Sequence, residues 1–193
     1  MIRGTRRRLA VGAIVAVATA GLAAGCGSSN DETTTTSAAL TATPNLNVSV
    51  NKKIAGQVPS DIKSKGTLTV AADATYAPNE FIAEDGHTVI GMDADLAKSI
   101  AQVMGLDGTV KNVTFDSIIP GLAANKYDLG MSSFTITKER EQTVDFVSYA
   151  IAGTSFFVKA DGGPDIQSLA DLCGETVAVE RGTTQEADAT AQD

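Results

Sequence analysis

Hydroxyl residues and one arginine stand close together in the stretch "MSSFTITKER", residues 131–140. Two serines directly follow an apolar run, two threonines come next, and Arg140 closes the stretch. A guanidinium presents two parallel N–H bonds that match a carboxylate, so the stretch is a candidate site for an anionic group. The alternative is a strand end, a turn and a helix cap at Thr137, with Arg140 paired on the surface to Glu141 or Asp145 and contributing little.

Two further polar clusters follow predicted strands in the same way. They are "DATY" at 73–76 and "RGTT" at 181–184, and the serines belong to a third cluster, "SSFT", at 132–135. Ligands of α/β sheets bind at the carboxyl ends of the strands, so we expect the three clusters to form one site. The candidate ligand-binding residues in and beside the clusters are Asp73, Tyr76, Ser132, Ser133, Thr135, Arg140, Thr183 and Thr184.

The residue types of these clusters suggest complementary roles. Gly182, followed by hydroxyl residues at a helix start, presents backbone N–H groups that favour an anion; the alternative is an ordinary N-cap. The carboxylate of Asp73 attracts an ammonium or amide group. The ring of Tyr76 can stack on a cation or cover an aliphatic chain; the alternative is packing in the core. Together the clusters suit a small zwitterion.

Strands and helices alternate from Val58 onward, which predicts an α/β fold with a mostly parallel sheet. Asp85 and Gly86 between two apolar runs indicate a hairpin, and His87 beside that turn is expected to be solvated. Asp93 is predicted to cap the helix that follows. The predicted helices lie at 59–65 and 93–104 and from about 116 onward, and the predicted strands lie at 67–73, 108–115 and 127–131.

The pattern restarts after Gly153, which divides the folded part into two predicted lobes. The first lobe covers 58–153, and 154–193 begins a second α/β unit. Within this second unit the sequence predicts strands at 154–160 and 175–180. Because the sequence ends inside a predicted helix, we expect the second lobe to be incomplete and the chain to be a fragment.

The N-terminus has the pattern of an export signal, predicted over residues 1–25. Four arginines precede an apolar run of 16 residues, Leu9–Ala24, which is shorter than the roughly 20 residues that span a bilayer. The alternative is a stop-transfer anchor. The end of the run, "GLAAGC", resembles the lipobox of bacterial lipoproteins, which implies lipidation of Cys26. The Ser/Thr-rich segment 26–57 is predicted to be a flexible tether.

Charge and cysteine content narrow the function further. The chain has 15 Lys and Arg against 23 Asp and Glu, a formal charge of −8, so nothing favours nucleic acid. No metal or cofactor motif is found. If Cys26 carries lipid through its sulfur, Cys173 has no partner in this sequence, and we expect a second cysteine further along the full protein.

Four segments together give a family resemblance: "GTLTVAADATYAPNEF", "VIGMDADLAKSIAQVMG", "FDSIIPGLAANKYDLGMSSFTITKEREQTVDF" and "LADLCGETVAVERGTTQEADA". The chain resembles the polar amino acid family of ABC-transporter solute-binding proteins, also called bacterial extracellular solute-binding protein family 3. The resemblance implies a monomeric, non-enzymatic protein of the periplasmic-binding-protein type. Its two lobes would be joined by a hinge and would close on one amino acid.

The resemblance also implies residue roles. Arg140 would take the α-carboxylate, aided by Ser133, Thr135 and Thr184. Asp73 and Tyr76 would contact the amino or side-chain end of the ligand, and Phe115 would form an apolar wall. The residue that binds the α-ammonium is expected beyond Asp193. Asn79 in "APNEF" departs from the family pattern, which has an aromatic residue at that place.

Three hypotheses about function remain open on the sequence. The first is capture of a polar amino acid at the outer face of the cytoplasmic membrane and delivery to an ABC permease, since no phosphate-binding loop is present in the chain. The second is an enzyme similar to the cyclohexadienyl dehydratases, which share this fold; it would need a placed general acid or base. The third is a sensor module that passes the ligand state to a membrane partner.

Overall fold

The computed structural model describes residues 46–192. The predicted signal segment 1–25, Cys26 and most of the predicted tether lie outside the described residues. Within the described range, no helix combines the length and the apolar character that crossing a membrane would require.

A parallel three-stranded sheet forms the centre of the fold. Its strands are β1 (Thr67–Ala72), β5 (Asp107–Asn112) and β6 (Leu129–Gly130), in the order β5–β1–β6. Thr67 pairs with Asp107 at the start of the register, and both neighbours run parallel to β1. Because β1 lies between two strands and under helices, its side chains from Val70 onward are buried. The predicted α/β fold with a parallel sheet is confirmed.

Helices α2 (Ser60–Lys65), α3 (Met92–Met104) and α4 (Phe115–Ala123) accompany the sheet. Ala97 and Ala101 of α3 are fully buried, and these small side chains let the helix lie close to the sheet. Gly105 ends α3 at φ +76°, a conformation in which its N–H bonds to the carbonyl of Ala101. Ile118 of α4 is fully buried as well. Both helices therefore pack an apolar face on the core.

A small antiparallel sheet carries the hairpin. It consists of β2 (Thr75–Tyr76), β3 (Glu80–Ile82) and β4 (Val89–Ile90). The carboxylate of Asp85 accepts hydrogen bonds from the backbone N–H groups of His87 and Thr88, which closes the turn. The side chain of His87 is 79% exposed. The hairpin and the solvated histidine are both as predicted.

Two expectations about helix starts are wrong. The tether was expected to reach residue 57, but Lys52–Gln57 forms helix α1, which the side chain of Asn51 caps. The N–H of Asn51 also donates to the carbonyl of Val103 in α3 at 2.9 Å, so the folded part begins before Val58. Asp93 does not cap α3: Gly91 holds that position, and Asp93 is fully buried because it bonds to residues from other segments.

The predicted strands at 154–160 and 175–180 do not form. A strand needs a neighbour to bond its backbone groups, and neither segment pairs with another strand among residues 46–192. Their apolar side chains are correspondingly exposed, Phe157 to 97%. A 3₁₀ helix at Leu169–Leu172 and helix α5 (Thr184–Thr190) are present. Cys173 is exposed and forms no disulfide among residues 46–192; its disulfide partner stays a prediction.

Asp128 joins the end of α2 to the sheet. Its Oδ2 accepts hydrogen bonds from the Lys65 ammonium at 2.5 Å and the Thr69 N–H at 2.7 Å. Burial acts in the opposite direction, but these bonds lower the pKa of Asp128. The folded pKa thus lies below the unfolded one, so this stabilisation is present above about pH 4 and is lost as the pH falls through the folded value.

We expect Asp128→Ala to lower the free energy of unfolding by about 1–2 kcal/mol at pH 7, since Lys65 is partly exposed and its share is screened. Asp128→Asn keeps an acceptor for Thr69 and should lose less. Urea unfolding of wild type and Asp128→Asn at pH 7 and pH 2.5 measures the effect. The free energies of unfolding of the two proteins should converge at pH 2.5. A difference that stays the same at both pH values would contradict the stabilising role of the Asp128 carboxylate.

Candidate functional site

A cavity of about 910 Å³ opens beside the carboxyl ends of β1 and β6. One wall consists of residues that follow these strands, and the other consists of residues between 153 and 189. Every predicted ligand-binding residue lines this cavity: Asp73, Tyr76, Phe115, Ser132, Ser133, Thr135, Arg140, Thr183 and Thr184. The structure therefore brings the three clusters together, while ligand binding by each residue stays a prediction.

Arg140 reaches across the cavity wall from a 3₁₀ turn. The turn covers Arg140–Gln142, and Glu139 rather than the predicted Thr137 holds its N-cap position. The Thr137 hydroxyl still accepts the N–H of Arg140 at 3.2 Å. One guanidinium nitrogen donates to the carbonyl of Thr135 at 2.6 Å, and the other donates to that of Gly182 at 2.8 Å. The side chain thereby connects the 131–140 segment to the loop before α5.

The guanidinium of Arg140 lies against two aromatic rings. Its central carbon is 5.2 Å from the centre of the Phe134 ring and 5.6 Å from that of Phe115, and the two rings stack at 4.1 Å. Such contacts stabilise a cation without neutralising it. Burial lowers the pKa of Arg140, an effect that neighbouring Glu139 opposes.

Arg140 has no carboxylate within salt-bridge distance in the part of the chain that the structure describes. The surface pair with Glu141 or Asp145, which the sequence left open, is therefore not formed. Because both hydrogen bonds from the guanidinium go to neutral carbonyls, a half-buried positive charge lines the cavity without an acidic partner. An anionic ligand group would supply one.

Asp73 anchors the end of β1 to the start of α4. Its Oδ2 accepts the N–H of Phe115 at 2.8 Å, and its Oδ1 accepts the Thr75 hydroxyl at 2.7 Å. Glu180 lines the same cavity as Asp73. Burial raises the pKa of Glu180, and the charges of Asp73 and Asp116 add to the effect. This end of the cavity is acidic.

The two serines turn their hydroxyl groups into the protein. Ser132 is 3% exposed and donates to Glu80 Oε1 at 2.6 Å. Ser133 donates through its hydroxyl to Asp93 Oδ2 at 3.1 Å. The resemblance implied that Ser133 helps Arg140 to bind an anion. In this structure its hydroxyl hydrogen is directed to Asp93 instead, because the carboxylate is the stronger acceptor within reach.

The threonines before α5 serve chiefly as a helix cap. The Thr183 hydroxyl accepts the N–H of Glu186 at 3.1 Å, so Thr183 is the N-cap. The N–H of Gly182, which was expected to face an anion, donates to Glu186 Oε2 at 2.7 Å. The protein's own carboxylate thus fills this position. The Thr184 hydroxyl contacts Gln185 at 3.3 Å.

The two predicted aromatic residues differ in exposure. Tyr76 is 54% exposed at the cavity, so the alternative that it packs in the core is wrong. Phe115 is 9% exposed, and its ring stacks on that of Phe134. An apolar wall at Phe115 is consistent with this stacking.

Sequence reasoning missed three residues of the site: Glu80, Phe134 and Glu180. Glu80 is 1% exposed and lines the cavity, although a glutamate at a strand start is usually solvated. Glu80 belongs to the segment "PNEF" at 78–81, and nothing in that local pattern indicates that it is buried. Phe134 matters because its ring stacks on that of Phe115, which is distant in sequence. Glu180 matters because it lines the same cavity as Asp73, which is also distant in sequence. Among residues 46–192, no cluster of acidic, histidine or cysteine side chains could hold a metal ion.

The fold is that of an α/β protein with a cavity at the carboxyl edge of its sheet. The model of the family described as "Bacterial extracellular solute-binding proteins, family 3" matches residues 68–191. The chain belongs to this family.

Similar curated proteins are amino acid-binding proteins. The arginine-binding protein ArgT of Corynebacterium glutamicum is 35% identical over 136 residues, which are 70% of this chain and 44% of ArgT. The arginine-binding extracellular protein ArtP of Bacillus subtilis is 38% identical over 123 residues, 63% of this chain and 47% of ArtP. The chain thus spans about half the length of these relatives.

Solved structures show the same kind of protein. The arginine-bound form of a truncated ArgBP from T. maritima superposes with a TM-score of 0.62 at 36% identity, covering 70% of this chain and 64% of that chain. An ancestral amino acid-binding protein, described as a precursor of cyclohexadienyl dehydratase, gives a TM-score of 0.63 at 41% identity, with 68% and 59% covered. The named curated relatives are binding proteins, so the enzymatic alternative is not favoured.

Proposed function

We propose that this protein captures a single cationic amino acid outside the cytoplasm and delivers it to an ABC importer. The observation that carries the proposal is the guanidinium of Arg140, which lines the cavity without an acidic partner among the described residues. The α-carboxylate of the ligand would supply that partner through two parallel hydrogen bonds. The bonds to Thr135 and Gly182 hold the guanidinium in place.

The opposite end of the cavity supports a positively charged side chain. Asp73, Glu180, Glu175 and Asp188 all line the cavity, and the charge of Asp73 adds to the rise in the pKa of Glu180 that burial causes. A guanidinium or ammonium would reduce the repulsion between these carboxyl groups, whereas an acidic ligand would increase it. The exposed ring of Tyr76 offers a face for such a cation. The names of the two curated relatives, both arginine-binding, support the same ligand class.

Delivery would use the two-lobe clamp. In the proposed division, the first lobe extends to residue 153 and 154–193 belongs to the second. A ligand that bridges both lobes favours the closed state by its higher affinity for it. We propose that residues 1–25 direct export. A lipid on Cys26 would hold a monomer at the outer face of the cytoplasmic membrane, and the permease partner would supply the energy from ATP.

The test is a thermal-shift screen of the full protein against the twenty amino acids, followed by calorimetry. L-arginine or L-lysine should raise the melting temperature most, since a ligand at 100 times its dissociation constant stabilises by about 2.7 kcal/mol. Agmatine, which is arginine without the carboxylate, is the matched control and should bind at least about 100-fold more weakly. Equal binding of agmatine, or preference for L-glutamate, would overturn the proposal.

A further inference from the structure

Two buried carboxyl groups lie side by side beneath the cavity wall. Glu80 in β3 is 1% exposed, and Asp93 in α3 is fully buried. Backbone hydrogen bonds bring them together, because Asp93 N–H donates to the carbonyl of Asn79 at 2.8 Å and Met92 N–H donates to that of Pro78 at 3.2 Å. Asp93 lies close enough to Glu80 to raise the pKa of that carboxyl group.

The hydrogen bonds that the side chains of Glu80 and Asp93 accept use one oxygen of each carboxyl group. Glu80 Oε1 accepts the hydroxyl of Ser132 at 2.6 Å. Asp93 Oδ2 accepts the Ser133 N–H at 2.9 Å, the Ser133 hydroxyl at 3.1 Å and the Tyr149 hydroxyl at 2.7 Å. The other two oxygens, Glu80 Oε2 and Asp93 Oδ1, are buried and meet no donor in the described part of the chain.

Two carboxylate oxygens are both acceptors and cannot bond to each other unless one carboxyl group is protonated. We propose that Glu80 carries a proton which it donates to Asp93, and that this acid pair positions Ser132 and Ser133 at the cavity. The two groups are therefore positioning residues. Only the effect on ligand affinity rests on the proposed function, because the shared proton is argued from the two buried oxygens that meet no donor.

The surroundings of the pair favour this protonation state. Glu80 is faced by Asp93 from α3 and by Asp73 from the end of β1, with no basic group facing it among the described residues. Burial raises the pKa of Glu80 to about 8; Ser132 opposes the rise, and Asp93 and Asp73 add to it. Burial and Asp93 also raise the pKa of Tyr149, so its hydroxyl remains a donor.

The pair holds the backbone that follows β6. Ser132 Oγ accepts the N–H of Asp73 while it donates to Glu80, so this hydroxyl connects β1 to the pair. Ser133 has φ +49°, a conformation that is unfavourable for serine, and both its N–H and its hydroxyl bond to Asp93. Loss of the proton would put two negative charges in contact, and the wall bearing Thr135 and Arg140 follows directly in the chain.

The test compares wild type with Glu80→Gln from pH 5 to pH 9. Glutamine can accept from Ser132 and donate to Asp93, so it reproduces the protonated state at every pH. A raised folded pKa means that the folded state binds the proton more tightly, so wild-type stability falls as the pH rises from about 4.5 to about 8. The melting temperatures should match at pH 5, and the variant should melt higher at pH 9.

The matched control is Glu84→Gln, which removes an exposed glutamate from the same hairpin. Its melting curve should run parallel to that of wild type across the pH range. A Glu80→Gln curve that also runs parallel to wild type would overturn the shared proton. If Glu80→Gln does not fold, the infrared band of a protonated carboxyl in wild type decides: it should be present at pH 7 and absent at pH 10, and its absence at pH 7 would overturn the proposal.

Affinity for L-arginine gives the second readout. At pH 9, one unit above the pKa, about a tenth of Glu80 retains its proton, so wild type should bind about tenfold more weakly than Glu80→Gln. Because L-arginine titrates in the same way in both experiments, its own titration cancels in the ratio of the two dissociation constants. If the melting temperatures of the two proteins diverge with pH while the ratio of their affinities for L-arginine stays constant, the positioning role is overturned. If neither protein binds L-arginine while the melting curves diverge, the shared proton stands and the proposed ligand fails.

Discussion

Replacing Arg140 by alanine is expected to abolish detectable binding of L-arginine, with a loss in affinity of at least about 100-fold. Truncating one side of a desolvated, hydrogen-bonded charge pair costs roughly 2–5 kcal/mol, and 2.8 kcal/mol corresponds to a factor of about 100. The guanidinium is half-buried, lies against Phe115 and Phe134, and lacks an acidic partner among residues 46–192. Calorimetry at pH 7 measures the loss.

Two further variants separate geometry from charge. Arg140→Lys retains the charge but cannot reach the carbonyls of Thr135 and Gly182 while also presenting a planar fork, so we expect intermediate affinity. Lys138→Ala removes a positive charge from an exposed residue two positions earlier and should leave affinity within about twofold, since exposed charges contribute little. Wild-type affinity in Arg140→Ala, with a normal circular dichroism spectrum, would show that the ligand carboxylate binds elsewhere.

The largest expected effect on stability is that of Gly91→Ala. Gly91 has φ +118°, and an added Cβ would lie 2.4 Å from the carbonyl oxygen of Asn79 and 2.8 Å from that of Pro78. These carbonyls cannot easily move away because they accept the first N–H groups of α3, from Asp93 and Met92. Positive φ costs roughly 1–2 kcal/mol and overpacking roughly 1–3 kcal/mol. We therefore expect a loss of about 3 kcal/mol in the free energy of unfolding.

Gly86→Ala is the matched control for this prediction. Gly86 lies in the turn of the same hairpin at φ +77°, but no atom lies within 4 Å of a Cβ placed there. The substitution should therefore cost only the conformational part, about 1 kcal/mol. Urea unfolding followed by circular dichroism compares the two variants, since the chain has no tryptophan. Equal losses in both would show that the contact with Asn79 is not what makes Gly91 necessary.

Local sequence patterns were sufficient where the partner of a group is close in the chain. The ends of α2 and α3 follow from Gly66 and Gly105, which adopt positive φ just past each helix. The hairpin follows from Asp85 and Gly86, whose turn closes within four residues. Burial of β1 follows from its apolar run. The parallel sheet required only the alternation of strands and helices, and the family resemblance was likewise carried by contiguous motifs.

The orientation of the site residues depended on partners that are remote in sequence. All nine candidates line one cavity, but whether a hydroxyl faces the cavity or the interior is decided by the nearest strong acceptor. Ser132 meets Glu80, 52 residues earlier, and Ser133 meets Asp93, 40 residues earlier. For the same reason Asp93 is not a helix cap. The predicted strands after Gly153 are absent because a strand forms only where another strand pairs with its backbone, and local sequence does not specify that partner.

The sequence by itself therefore determined the fold class, the family and nine of the residues around the cavity, because these follow from periodicity, turn chemistry and contiguous motifs. Only the tertiary structure decided which polar groups face that cavity. It directed the serines inward, left Arg140 without an acidic partner among the described residues, and buried Glu80 against Asp93. The physical reason is that a buried polar group takes its role from the donor or acceptor within about 3 Å, and local sequence does not specify that neighbour.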